Sequence, residues 1–475
     1  MATDATAPHA LLLPYPAQGH VIPFMELAHR LLDRGFAVTF VNTEFNHRRV
    51  VEAAAGAPAA DGGRRLRLVG VPDGMDDGED RDNLVRLNAT MPETMPPRLE
   101  ALLDGGGGSA GGEGLGRVTC VVVDAGMSWA LDAAKRRGLP TAALWAASAA
   151  VLAVIVGAKN LIRDGVIDDD GAPVKLDSSD SFRLAESMAP MDATFLAWNY
   201  MGNRDAERMV FHYLTTTAWA AVANADVLLC NTFSDLEPDI FTHHSPASIL
   251  PIGPLRTWQR RSTSGEAPVV GHFWRTDDET CLSFLDAQPH GSVVYVAFGS
   301  LTVMSPAQLQ ELALALGTSG RPFLWVFRPG LAGKLPTALT DQVAQHGRGK
   351  LVEWAPQERV LAHPAVGCFL THCGWNSTLE GIRNGVPLLC WPYFTDQFTN
   401  QTYICDIWGV GVRMAPIDRQ GIVTKEEIME RLESLLGDGG VKERVSKLKE
   451  LAERSMSGEG QSLKNLNVFM EFVRK

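Results

Sequence analysis

"LLLPYPAQGHVIPFMELAHRLLDRG", residues 11–35, decides the fold. An apolar run reads as a short strand. A tight turn with proline and glycine follows, then His20. A helix comes next over "PFMELAHRLLDRG", with Pro23 in its first turn, Phe24, Leu27 and Leu31 on one face, and Gly35 as its stop. The pattern continues with strands at "FAVTFVN" (36–42) and "VTCVVVD" (118–124) and a helix at "AGMSWALDAAKRRG" (125–138). Apolar strands alternating with helices imply a parallel sheet covered on both faces. Ligands bind such sheets beyond the carboxyl ends of the strands. His20 lies just past one strand and Asp124 ends another, so the two are expected on one edge.

A second series starts near residue 290. "GSVVYVAFGS" (291–300) is a strand that ends in a Gly-Ser turn. "SPAQLQELALALG" (305–317) is a helix with Ser305 and Gln308 spaced as a capping box. Strands follow at "PFLWVF", "GKLVEW", "VGCFLTH" and "VPLLCWP", and amphipathic helices close the chain. The segment 251–274, rich in Pro, Gly, Ser and charge, reads as a linker. The expected organisation is an N-terminal domain over 1–250, a linker over 251–275, a C-terminal domain over 276–457, and a last helix over 458–475 that packs back on the first domain. The fold class is α/β: two doubly wound, Rossmann-like domains facing a cleft.

Composition removes several classes. With 475 residues, 21% charged and 45% hydrophobic, the chain is ordinary globular material, long enough for two cores. A net charge of −12 and no basic run argue against nucleic-acid binding. The amino-terminal residues carry no early Lys or Arg, and no stretch reaches the roughly 18 apolar residues of a membrane span. Seven scattered cysteines without a CxxC pair read as reduced thiols of a cytoplasmic protein rather than a disulfide frame or a zinc site.

In the second half, "FLTHCGWNSTLEG" (369–381) repeats the strand-turn-helix grammar. His372 ends a strand, Gly374 admits a ligand close to the backbone, and Asn376 and Ser377 open a helix whose free N–H groups suit a phosphate. Taken alone, Asn376 and Ser377 read equally well as caps, Trp354 and Trp375 as core, and Glu380 as a solvated residue. Three further features are discounted. Asp168, Asp169 and Asp170 read as a solvated turn, adjacent His243 and His244 as surface residues, and Cys373 as no partner for His372.

The whole of "WAPQERVLAHPAVGCFLTHCGWNSTLEGIRNGVPLLCWPYFTDQ", residues 354–397, closely resembles the donor-binding box of plant UDP-sugar-dependent glycosyltransferases, which have the two-domain GT-B fold. "PYPAQGH", "VVVDAGMSW", "LIRDGVIDDDG", "IGPL" and "CLSFLDAQPHGSVVYVAFGS" extend the resemblance along the chain. It implies that Trp354 stacks on uracil while the backbone of Ala355 reads the base edge. Gln357 and Glu380 would bind the ribose hydroxyls. Ser300, His372, Asn376 and Ser377 would hold the diphosphate, and Trp375, Asp396 and Gln397 would meet the sugar.

By the same resemblance, His20 is a general base oriented by Asp124. The reaction is inverting transfer of a sugar to an acceptor hydroxyl. A free imidazole titrates near pH 6.5, so it can accept a proton at cytosolic pH, and a helix N-terminus beside it disfavours the cation. The leaving UDP would be stabilised by His372 and a helix N-terminus, so no metal is called for. No further cofactor is expected, since the UDP-sugar is a co-substrate. The terminal Gln397 favours glucose, and Trp375, where an arginine would suit a uronic acid, argues against glucuronate. The acceptor is expected to be small and apolar, with phenols and flavonoids of secondary metabolism as the prior. Phe182, Met188, Met191, Phe195 and Trp198 are candidates to line its pocket, with core packing an equally good reading. A monomer is expected. The alternatives are a UDP-sugar epimerase or hydrolase on this architecture, or a catalytically silent UDP-binding protein.

Overall fold

The computed structural model describes residues 7–54, 65–81, 83–105, 116–174, 181–184, 188, 190–244, 249–255, 271–274, 278–327, 347–414 and 421–474. The chain divides into two compact units. One comprises Met1–Met188, Met201–Trp274 and Arg454–Lys475; the other comprises Ala189–Tyr200 and Arg275–Glu453.

In the first unit, β1 (His9–Leu13), β2 (Ala37–Thr43), β3 (Leu66–Val71), β4 (Cys120–Asp124), β5 (Thr141–Trp145), β6 (Val227–Cys230) and β7 (Ile249–Pro251) form one parallel sheet in the order β3-β2-β1-β4-β5-β6-β7. Every residue of β1, β2, β4 and β5 is buried, as a sheet covered on both faces requires. In the second unit, β8 (Val293–Ala297), β9 (Phe323–Val326), β10 (Gly349–Val352), β11 (Val366–Thr371), β12 (Leu388–Cys390) and β13 (Gly411–Arg413) run in the order β10-β9-β8-β11-β12-β13, again parallel. Strand order therefore reverses between β1 and β4 in one sheet and between β8 and β11 in the other. Such reversals open the crevice in which doubly wound sheets bind ligands.

The first helix differs from its sequence reading. It spans Gln18–Asp33, so Pro23 lies inside it and His20 within its first turn. The earlier start has a tertiary cause: the buried amide of Gln18 accepts from Phe273 N (3.0 Å) and meets His272 Nδ1 at 3.1 Å. Its end is as expected. Gly35, at φ 85°, takes the left-handed position, and Phe36 N returns to Leu31 O. The Ser305 cap also differs in part. Ser305 Oγ accepts from Gln308 N at 3.2 Å, but the Gln308 amide bonds both backbone groups of Val423 instead of reaching back.

Helix Gln461–Phe472 belongs to the first unit, where Leu466, Phe469 and Met470 join the apolar core and Asn465 donates to Pro251 O at 2.9 Å. Of the linker expected over 251–275, residues 256–270 and 275 lie outside the described residues. Ile252, Leu255 and Phe273, at the ends of the described part, are buried in the first unit's core. Among the described residues, no helix is long and apolar enough to cross a membrane.

Candidate active site

Each sheet carries one cluster at its reversal of strand order. In the first unit the Ala17 carbonyl accepts from His20 N (2.9 Å) and Val21 N (3.0 Å), which starts the helix directly after β1. His20 Nδ1 lies 2.7 Å from Asp124 Oδ2, at the end of β4. The imidazole is 37% exposed and the carboxyl 3%. A carboxylate only accepts, so Nδ1 carries the proton of this bond and Nε2 carries the ring's lone pair. The other carboxylate oxygen, Oδ1, accepts from Gly126 N at 2.9 Å.

Two tyrosines complete this cluster, and the sequence reading gave neither a role. Tyr15 sets its ring 5.1 Å from that of His20 and donates to Asn88 Oδ1 at 2.8 Å. Tyr213, on helix Arg204–Asn224, donates to Gly126 O at 2.5 Å. Burial raises both phenols above their ordinary range, and the charge of Asp124 raises them further, so both stay protonated donors. Tyr15 stands inside the turn already singled out; Tyr213 is nearly ninety residues from Asp124 and carries no local signal.

In the second unit β8 and β11 are neighbours, with Ala297 level with Thr371. The turns that follow them hold Ser300 and His372. The imidazole of His372 fills the space beside two glycines: a Cβ on Gly299 would lie 2.6 Å from its Nε2, and one on Gly374 closer still. Burial pulls His372 down to about 4, against the opposing Ala297 carbonyl, so the ring is neutral at neutral pH. Cys373 sits at φ 65°, which is costly for a residue with a side chain. Its carbonyl accepts from Asn400 Nδ2 at 2.9 Å, and the same nitrogen lies 2.8 Å from Asp396 Oδ2. Asn400 thus ties the turn at His372 to Asp396, a link the sequence reading missed. The Cys373 thiol is fully buried, which fits its dismissal as a nucleophile.

Gln357, Ser377 and Glu380 form a second connected group. Gln357 Nε2 donates to Ser377 Oγ at 2.8 Å and Glu380 Oε2 at 2.5 Å, while its Oε1 accepts from Tyr295 at 3.1 Å. Burial, helped by the charge of Glu358, pushes Glu380 up to about 7, although Arg383 and Gln357 oppose the shift. Arg383 is itself paired with Glu358.

Gln397 is buried, and its Oε1 accepts from Tyr393 N (2.8 Å) and Phe394 N (3.2 Å). Its acceptor is therefore spent on the backbone, which leaves the amide as a donor toward any ligand. Trp375 is buried 6.4 Å from Trp408, Ala355 is buried, and Trp354, Asn376 and Ser300 are half-buried. Asp168 accepts from the backbone of Asp170 and Ala172 in an exposed turn, as expected of that acidic run. The side chains of His243 and His244 lie outside what is described.

A family model described as UDP-glucoronosyl and UDP-glucosyl transferase matches residues 276–458. UDP-glycosyltransferase 83A1 of Arabidopsis thaliana is 37% identical over 470 residues, covering 98% of this chain and 97% of the relative. (R)-mandelonitrile beta-glucosyltransferase of Prunus dulcis is 36% identical, covering 96% and 95%. Among solved structures, Os79 from O. sativa in complex with UDP is similar with a TM-score of 0.77 at 30% identity, over 98% of this chain and all of that one.

Proposed function

The chain belongs to the UDP-glucoronosyl and UDP-glucosyl transferase family, as a plant UDP-glycosyltransferase of GT-B fold that transfers a sugar from a UDP-sugar to a small acceptor; we propose that it glucosylates the hydroxyl of a small apolar acceptor with inversion, His20 acting as base. One observation carries the reading: the 2.7 Å bond between His20 Nδ1 and Asp124 Oδ2. With Nδ1 engaged, Nε2 would take the acceptor's proton as its oxygen attacks the anomeric carbon, and Asp124 would stabilise the imidazolium. UDP leaves toward the turns at Ser300 and His372 and the N–H groups at Asn376 and Ser377, where a helix N-terminus meets the developing charge. Neutral His372 serves there as a hydrogen-bond donor rather than a cation. Trp354 and Ala355 take the uracil, Gln357 and Glu380 the ribose, and Trp375, Asp396 and Gln397 the hexose.

The relative named for mandelonitrile supports a small, partly aromatic acceptor. Seven free cysteines, six of them buried, support a reducing, cytoplasmic setting. Incubation with UDP-glucose and a panel of phenols and aliphatic alcohols tests the reading. The expected result is an acceptor heavier by one hexosyl group with equimolar UDP. Free glucose without a glycoside would mark a hydrolase, and an altered UDP-hexose an epimerase.

Donor choice follows from the sugar residues. Asp396 accepts hydrogen bonds and the Gln397 amide donates one, an arrangement suited to equatorial hydroxyls. The axial 4-hydroxyl of galactose would leave one of them unpaired, which costs about 1–3 kcal/mol. UDP-glucose is therefore expected to outcompete equimolar UDP-galactose by about tenfold, and UDP-glucuronate as well. A mainly galactosylated or glucuronidated product, read by mass and sugar analysis, would refute the assignment.

Glu380 makes donor binding pH-dependent. Ribose hydroxyls donate to it best when it is a carboxylate, and its value of about 7 means that form is lost as pH falls through neutrality. Affinity for UDP-glucose is expected to be full above pH 8 and to fall about tenfold by pH 5.5. Glu380→Gln should flatten that profile. An unchanged slope in the variant, measured by calorimetry, would remove Glu380 from the ribose site.

A further inference from the structure

Residues 189–200 interrupt the first unit in sequence yet cluster with the second. Three rings explain the attachment. Phe195 stacks on Tyr200 with centroids 5.5 Å apart and planes 7° apart, and on Phe398 at 4.8 Å; Tyr200 lies 5.0 Å from Phe398. Phe398 follows Gln397 on the six-residue helix Gln397–Thr402. That helix runs on without a break into the helical turn Tyr403–Ile407, whose Tyr403 and Ile404 are buried, so its far end is fixed and its first turn is the part the rings can set. On one side of that turn Asn400 ties it to the turn at Cys373; on the other Phe398 packs it against the rings of Phe195 and Tyr200. The segment that supplies the other two rings is itself fixed: Trp198 is fully buried, Asp192 Oδ1 accepts from Thr194 N at 2.8 Å, and Asn199 donates to Ala193 O at 2.9 Å. Tyr200 adopts φ 64°, a conformation that its surroundings must enforce.

We infer that Phe195 and Tyr200 are positioning residues for donor-sugar selection, acting through Phe398 on Asp396 and Gln397. The inference rests on the reading of Asp396 and Gln397 as hexose contacts. The aromatic cluster sets the place of the helix's first turn, and that turn fixes where the carboxylate and the amide meet the sugar. On that reading the nucleotide is held elsewhere, by Ser300 and residues between 354 and 380, so loosening the cluster should affect the hexose and spare UDP.

The test measures UDP affinity by calorimetry and kcat/KM for UDP-glucose and UDP-galactose in Phe195→Ala, Phe195→Leu, Phe195→Tyr and Tyr200→Ala, with Asp396→Asn as the reference. Phe195→Ala is expected to raise KM for UDP-glucose about tenfold, the order of effect of removing a stacked aromatic pair with its buried area. It should also shrink the glucose preference and leave UDP affinity within about twofold, the last being a margin well below that loss. Phe195→Tyr should restore the preference. If Phe195→Ala does not fold, Phe195→Leu and Tyr200→Ala carry the same expectation in smaller measure. A preference that survives these substitutions but is lost in Asp396→Asn overturns the inference and leaves the hexose reading standing. A preference that survives in Asp396→Asn overturns both. Equal weakening of UDP and UDP-glucose reduces the cluster to a structural role and also overturns the inference.

Discussion

His20→Ala is expected to lower kcat by about 10²–10⁴-fold, the range by which a placed general base accelerates a reaction. UDP affinity should stay near that of the unaltered protein, because every residue proposed to hold the nucleotide belongs to the other unit. The loss should fall on kcat more than on KM for the donor, since the base acts only as the acceptor oxygen attacks. Asp124→Asn should cost less. The imidazole remains, while its tautomer and the stabilisation of its cation are lost. Tyr213→Phe, which removes the donor to Gly126 O, provides a graded control. Turnover in His20→Ala near that of the unaltered protein would withdraw the base assignment.

Gly374→Ala is expected to weaken UDP binding by about a hundredfold, the upper part of what overpacking a close contact costs. The added Cβ would intrude on Nε2 of His372, which lies against Gly299 as well. Backbone strain is not the cause, since Gly374 has φ −60° and any residue adopts that. Either the imidazole or the helix N-terminus must move, and both belong to the proposed diphosphate site. His372→Ala removes the obstacle, so adding Gly374→Ala to that variant should cost little further. Additive losses in the double variant would show that the glycine serves some purpose other than room for the imidazole. Gly299→Ala should be at least as harmful, because its φ of +70° adds strain to the collision.

What was legible in the sequence, and what was not, divides along a physical line. Period, caps and strand ends are local, so β1, β4, β8 and β11 stand where the apolar runs put them, and His20 meets Asp124 because both lie at strand ends of one sheet. The helix that carries His20 starts earlier than its proline suggests, because its first residue is anchored by a chain segment 255 positions away. Asn400 and Tyr213 carry no local signal for the same reason: each donates to a backbone carbonyl distant in sequence. Nothing in the sequence tells that the side-chain oxygen of Gln397 is taken by the backbone of Tyr393 and Phe394, which leaves only its amide for a sugar. Residues 189–200 read as part of an unbroken first domain. Their aromatic partner, Phe398, lies some two hundred residues on, and no local pattern reports that.

The measurement that bears most directly on the account is the anomeric configuration of the first product formed from α-linked UDP-glucose, read by proton NMR before any secondary reaction. Direct attack by a hydroxyl deprotonated by His20 passes through one displacement, so the account predicts a pure β-glycoside with one UDP released per glycoside. An α-glycoside, or glucose in place of a glycoside, would contradict it.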